Sequence, residues 1–350
     1  MWFKLTYSLH GMHVNRQDRL PISIQVDADR LLTFWMREIM HEGKLNRTLC
    51  CDAIIEKEPP AKVASTLRNL LNNVLTLDSP PQKGLPYQTF DTVIVDEAGK
   101  VAPNWSLPLS LMPRAVRNYQ PALQQTLADL IRNYVKNWRW RYNSWGPHSP
   151  FAHVSFDWSD DKDIWHPMPF DYGIGSAISL TGLNTDLDIM NEVAQFIAGR
   201  VYEPFPHELR REAADLVQGR PRSALLVAVT ALETGIKHYI AQLAPDTRSL
   251  LEKMPSPPAV TLIQEIIPAL HKARLIETDL FPLDGDAEKY LKKWISQRNQ
   301  VAHGVKKTVK SEELTDFIVF VTNILYAFDH LTGHAWALER VQSDPRVPPR

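Results

Sequence analysis

The run ALLVAVTALETGIKHYIA within residues 223–243 constrains the fold more than any other stretch. It holds no proline and is long enough for several helical turns. A helix that is apolar on most sides must lie at the centre of a bundle, because water can be left on little of its surface. The second half of the chain is therefore expected to be an all-helical unit built around this segment. The one acid in the run is Glu233, and a carboxylate there needs a buried partner.

The flanking sequence supplies the other helices. Residues 207–218 read as a short helix broken by Gly219, Arg220 and Pro221. Residues 260–276 form a third helix, bent at Pro268, which lacks an N–H and crowds the preceding turn. Residues 286–303 are a fourth, with apolar positions at Ala287, Tyr290, Leu291, Trp294, Ile295, Val301 and Ala302, Asp286 as its cap and Gly304 as its end. Ser311 caps a fifth, whose stripe runs through Leu314, Phe317, Ile318, Val321, Ile324, Leu325 and Phe328. The residues from 341 to 350 are proline-rich and expected to fray.

The first 200 residues are mixed. Residues 2–9 and 22–26 alternate as strands, and 92–95 is a short apolar strand. Asp29 is placed to cap a helix containing Leu31, Leu32, Trp35, Met36 and Ile39, ending near Gly43. Residues 61–77 and 114–140 read as helices. The expected fold class is α+β: an N-terminal mixed α/β domain over 1–200, an all-α bundle over 201–340, and a flexible tail over 341–350.

At 350 residues, with 44% hydrophobic and 23% charged, two globular domains are the natural division. The formal net charge of -1 gives no global field for nucleic acid, so RNA contact would need a local basic patch. Cys50 and Cys51 are adjacent and offer neither a disulfide framework nor zinc spacing, as expected in a reducing cytoplasm. No apolar run is expected to reach membrane-spanning length, and the N-terminus lacks signal-peptide character.

Several stretches carry competing readings. Trp138, Arg139, Trp140, Arg141 and Trp145 would suit base stacking, but aromatics more often pin an irregular segment to a core. His148, His153 and His166 with Asp161 or Asp163 match no familiar metal pattern. Asp96 and Glu97 follow a strand, where an acid pair can hold magnesium, yet no glycine-rich phosphate loop accompanies them. Solvated turn residues are the simpler reading.

The fourth helix carries the sharper signal. Arg298 continues its apolar stripe, and a guanidinium there must find a partner or do a job. His303 follows five residues later in the last turn. The bland alternative is an arginine bridging to a neighbouring helix and a helix-end histidine. An Arg-x4-His pair is expected roughly once by chance in a chain of this composition, so context decides. Histidine can act as acid or base near neutral pH, and arginine gives permanently charged, bidentate contacts to phosphate oxygens. RNA brings its own nucleophile, the 2′-OH. Lys306, Lys307 and Lys310 follow directly, either as a solvated loop or as RNA contacts.

From about residue 206 to 331 the chain resembles the HEPN superfamily. The resemblance rests on HELRREAADLVQGRPRSALLVAVTALETGIKHYI with its Ala231-Leu232-Glu233 signature, the proline-bent helix before Arg274, Leu275 and Ile276, and RNQVAH at Arg298 to His303. It implies a HEPN-like bundle that forms a homodimer with two RNQVAH segments facing each other. It further implies metal-independent RNA cleavage without a cofactor, in toxin-like or anti-phage settings, with an antitoxin or trigger protein as a possible partner. Arg298, Asn299 and His303 would be the catalytic set and Glu233 a support for Arg298. Some members carry a modifiable tyrosine two residues after the histidine; here that position is Val305. Other members have lost catalysis and act as RNA- or protein-binding dimers. The N-terminal half resembles no family.

Overall fold

The computed structural model describes residues 1–9, 20–41, 44–78, 87–90, 93–96, 100, 107–144, 151–169, 187–254, 258–305 and 308–341. The chain divides into two compact units. One comprises Met1–Val135 and Ser149–Val201; the other comprises Lys136–His148 and Tyr202–Arg350. The α+β class holds, and residues 136–148 belong with the second unit.

The first unit is built on an antiparallel sheet. Its strands are β1 (Trp2–Leu9), β2 (Ile22–Gln25), β3 (Arg30–His41), β4 (Lys44–Glu56), β7 (Phe151–Ser159) and β8 (His166–Pro167), in the order β2-β3-β4-β1-β7-β8. Between them come α1 (Ala61–Leu71), a hairpin of β5 (Tyr87–Phe90) and β6 (Val93–Asp96), and the long helix α2 (Arg114–Tyr142); α3 (Leu187–Ala198) closes the unit. Leu5, Ala53, Leu32 and Phe156 lie opposite one another across four strands and are buried, so alternation decides which face meets the core. Phe34 meets Tyr134 of α2 on that face, ring centroids 5.0 Å apart.

Two expectations are corrected here. The segment after Asp29 is strand β3, not a helix. Asp27 accepts bonds from the N–H groups of Asp29 and Arg30, which turns the chain, and β3 then pairs with β4 along its whole length. The 3–4 spacing of Leu31, Leu32, Trp35 and Met36 is compatible with a helix, but a facing apolar strand overrides it. Helix α1 also ends at Leu71, earlier than expected, with Asn73 in a left-handed turn (φ 56°). The aromatic segment after residue 150 contains a strand, β7, that its proline and histidine content hides; Trp158 on it is buried.

The second unit is helical: α4 (Phe205–Leu216), α5 (Pro221–Leu243), α6 (Arg248–Lys253), α7 (Ala259–Thr261), a π turn at Leu262–Ile266, α8 (Ile267–Arg274), α9 (Gly285–Ala302) and α10 (Ser311–Leu331). The apolar run is α5, buried along most of its length, and α10 is buried nearly throughout. They pack so closely that a Cβ on Gly235 would run into Leu325. These two helices correct the expectation about spanning length: each is long and apolar enough to cross a membrane, but most of each is buried inside the unit. The bend at Pro268 takes the form of the π turn just before it. That wider turn sits where the proline ring would otherwise crowd the carbonyl four residues back.

The caps differ from the reading of the sequence. Helix α9 is capped by Asp284, whose carboxylate accepts from the N–H groups of Asp286 and Ala287 at 2.9 and 2.8 Å. Asp286 sits exposed in the first turn. Ser311 is the first residue of α10 rather than its cap, and its hydroxyl donates to the Val217 carbonyl at 3.2 Å. Residues 342–350 lie outside the described residues.

Candidate active site at the end of helix α9

Three buried residues hold the face of α9 against the unit: Ala287, Leu291 and Trp294. Trp294 stacks on Phe317 of α10 with centroids 4.9 Å apart. One turn further on, the same face brings Arg298 to α5. Both oxygens of Glu233 accept from a single nitrogen, Arg298 Nη2, at 3.0 and 3.1 Å. Arg298 Nη1 donates to Asn299 Oδ1 at 3.0 Å. The partner that an acid in an apolar helix demands is therefore Arg298. The side chains are 10% exposed for Glu233 and 20% for Arg298, so the pair lies at the margin of the core.

Burial pushes the Glu233 carboxyl above its ordinary 4.5, against the pull of Arg298 and Lys237. A raised carboxyl value means that folding favours the neutral acid. The group's contribution is fully present below the unfolded value and is lost as pH rises through the folded one. Glu233→Gln is thus expected to flatten the fall in stability as pH rises from about 4.5 towards neutral. Urea midpoints at several pH values will show it. An unchanged pH profile would mean that the carboxyl does not feel its burial.

The helix ends in a Schellman arrangement. Val305 N–H donates to the Gln300 carbonyl at 2.8 Å and Gly304 N–H to Val301 at 3.1 Å, with Gly304 left-handed at φ 72°. His303 is the residue at which the helix stops, and its side chain is exposed. Asn299, Ala302 and Gly304 are exposed as well, and Val305 is 74% exposed. Residues five apart on a helix are separated by about 140°, so Arg298 and His303 start from different sides. The left-handed glycine ends that constraint one residue after the histidine.

The other candidates do not gather here. Lys310 is exposed and pairs with Glu313 at 3.1 Å, which also takes Lys293 at 3.4 Å, so its charge is locally answered. Lys306 and Lys307 lie outside the described residues. Trp138, Arg139, Trp140 and Arg141 are buried, which corrects the base-stacking reading in favour of the structural one. Trp145 and His148 lie outside the described residues, as do Glu97 and the side chain of Asp96.

His153 stands edge-on to Tyr7, and His166 lies against Trp158. Asp161 accepts from the N–H groups of Asp163 and Ile164 to close a turn. Among the described residues no group of three or more histidine, cysteine or acidic side chains is placed to hold a metal. Cys50 and Cys51 are free and buried, and burial pushes Cys50 up to about 11.

A buried network escaped the sequence reading altogether. Asp329 Oδ2 accepts from Trp140 Nε1 at 2.7 Å and bonds His207 Nε2 at 2.8 Å, and the Tyr326 hydroxyl donates to the Trp140 carbonyl at 2.6 Å. Apart from Tyr326 and Asp329 on α10, its members are more than 60 positions apart and share no periodic signal. Asp329, an acid within the apolar helix α10, was the available hint. No protein-family profile, curated protein or solved structure matches this chain.

Proposed function

We propose that the protein is a metal-independent endoribonuclease of HEPN type, acting as a homodimer, in a toxin-like or anti-phage role. The observation that carries this reading is the end of α9. There Arg298 is steadied by Glu233 and stands beside Asn299, while His303 is exposed at the helix stop. The guanidinium would bind the scissile phosphate and offset charge as the 2′-OH attacks. The imidazole would move a proton at the 2′-oxygen or at the leaving 5′-oxygen.

One chain offers one such histidine, and cleavage without metal calls for two proton-transfer groups. An isologous dimer supplies both. Exposed Ala302 and Val305, beside His303, give the partner copy an apolar contact at the site itself.

The test is purified protein on total RNA, with and without EDTA. Cleavage that survives EDTA supports the reading, and cleavage that EDTA abolishes moves the chemistry to a metal site elsewhere. Mixed dimers of wild type and His303→Ala are expected to lose most activity rather than half. Half activity would mean that each chain holds a complete site. Both terminal nitrogens of Arg298 are engaged within the chain, which favours one second reading: a non-catalytic dimer that binds RNA or protein. In that case His303→Ala would change binding in an assay where no cleavage is seen.

A further inference from the structure

The solvent-facing side of α9 carries a one-sided charge. Between Glu288 and Glu312 the chain holds seven lysines and arginines and no acid, although the whole chain has 39 bases and 40 acids. On α9 itself, Lys289, Lys292, Ser296, Asn299 and His303 fall within about 40° of one line along the helix. All five are exposed. They point away from Ala287, Leu291 and Trp294, which hold the helix to its unit.

The line ends at His303. Lys292 and Lys289 lie about 16 Å and 21 Å before it, at about 1.5 Å per residue. Between them and the histidine this side carries neutral hydrogen-bonding groups. Asn299 uses its oxygen for Arg298 Nη1 and keeps its amide N–H groups as donors. The lysines have partners of their own. Lys289 pairs with Asp286 at 3.3 Å and Lys292 with Glu288 at 2.5 Å, each about one turn back on the same helix. The two lysine side chains are 81% and 59% exposed, and exposed pairs at this spacing hold weakly. A polyanion can therefore take the ammonium groups from them.

We propose that this line is a track for single-stranded RNA, along which the phosphates on one side of the scissile bond run from His303 back to Lys289. The inference rests on the nuclease reading for what happens at the histidine, but not for the binding itself. The span fits about five or six stacked nucleotides at about 3.4 Å each. One line of cations follows one backbone, whereas a duplex presents two.

The full chain is titrated against a fluorescent 2′-O-methyl RNA dodecamer, which has no free 2′-OH and so cannot be cut. Lys289→Gln with Lys292→Gln is expected to weaken binding on the order of tenfold. It should also lower the slope of log K against log salt by about 1.4, two phosphates at about 0.7 each. Lys272→Gln with Arg274→Gln removes the same charge from the exposed end of α8 and should change neither. In cleavage of an unmodified dodecamer, the track variant is expected to raise KM, whereas His303→Ala lowers kcat. An unchanged salt slope in the track variant overturns the proposal, as does an equal loss in the α8 control. A duplex probe bound as tightly, or a glutamate peptide of equal charge that competes as well as RNA, also overturns it. Wild type that binds RNA through the track and cuts none leaves the track standing and removes the nuclease. Wild type that cuts, with KM and salt slope unchanged in the track variant, does the reverse.

Discussion

Replacing His303 with alanine is expected to lower RNA cleavage by about 10²–10⁴-fold, the usual worth of a general acid or base. Folding should hardly change. His303 is exposed, and its backbone N–H, which bonds Asn299 at 3.0 Å, is kept by alanine. Such surface changes usually stay within about 0.5 kcal/mol.

Arg298→Ala is the companion variant and differs in a telling way. It removes charge from the phosphate site and also leaves Glu233, at the margin of the core, without its partner. A stability loss of about 1–3 kcal/mol is expected, below the range for a fully buried pair. Rates with a defined RNA, alongside urea midpoints, separate the two effects. Full cleavage by folded His303→Ala would remove the histidine from the mechanism.

Asp329→Leu is expected to cost about 3–5 kcal/mol, the largest loss of stability from a single change in the helical unit. One carboxylate oxygen, Oδ2, serves both Trp140 Nε1 and His207 Nε2. Leucine fills the space but leaves two buried nitrogen groups with nothing to bond. Asp329→Asn keeps an acceptor oxygen and should lose less than half as much. Urea unfolding reads both, through a lower midpoint at unchanged m. Equal losses in the two variants would mean that the space, not the acceptor, matters.

How much of this was legible in the sequence depended on the range of the signal. Strand β1 alternates cleanly, and its bounds were read to the residue. The α9 stripe and the glycine at its end were read from 3.6-residue spacing. The Glu233–Arg298 pair was anticipated because each is a lone charge on an apolar face, and two such charges have few other places to go. Strand β3 was misread because its apolar residues fit two periods, and only the facing strand β4 chooses between them. The caps of α9 and α10 lie at Asp284 and Lys310, two and one residues before the expected Asp286 and Ser311, which is where local signals blur. The Asp329 network joined residues from three helices, with only Tyr326 and Asp329 at helical spacing, so little that was local pointed to it.

The cap after α9 has a consequence for how this chain can change. Its two backbone bonds close at Gly304 and Val305, and neither uses a side chain beyond them. Arg298, Asn299 and His303 therefore take their positions from α5, α10 and the helix's own backbone. The backbone bonds that end the helix are thus complete at Val305. Foreign sequence grafted there should alter what the surface meets without moving the arginine or the histidine. New substrate contacts can thus be tried by mutation on one side of a fixed joint, while the chemistry on the other side is left alone.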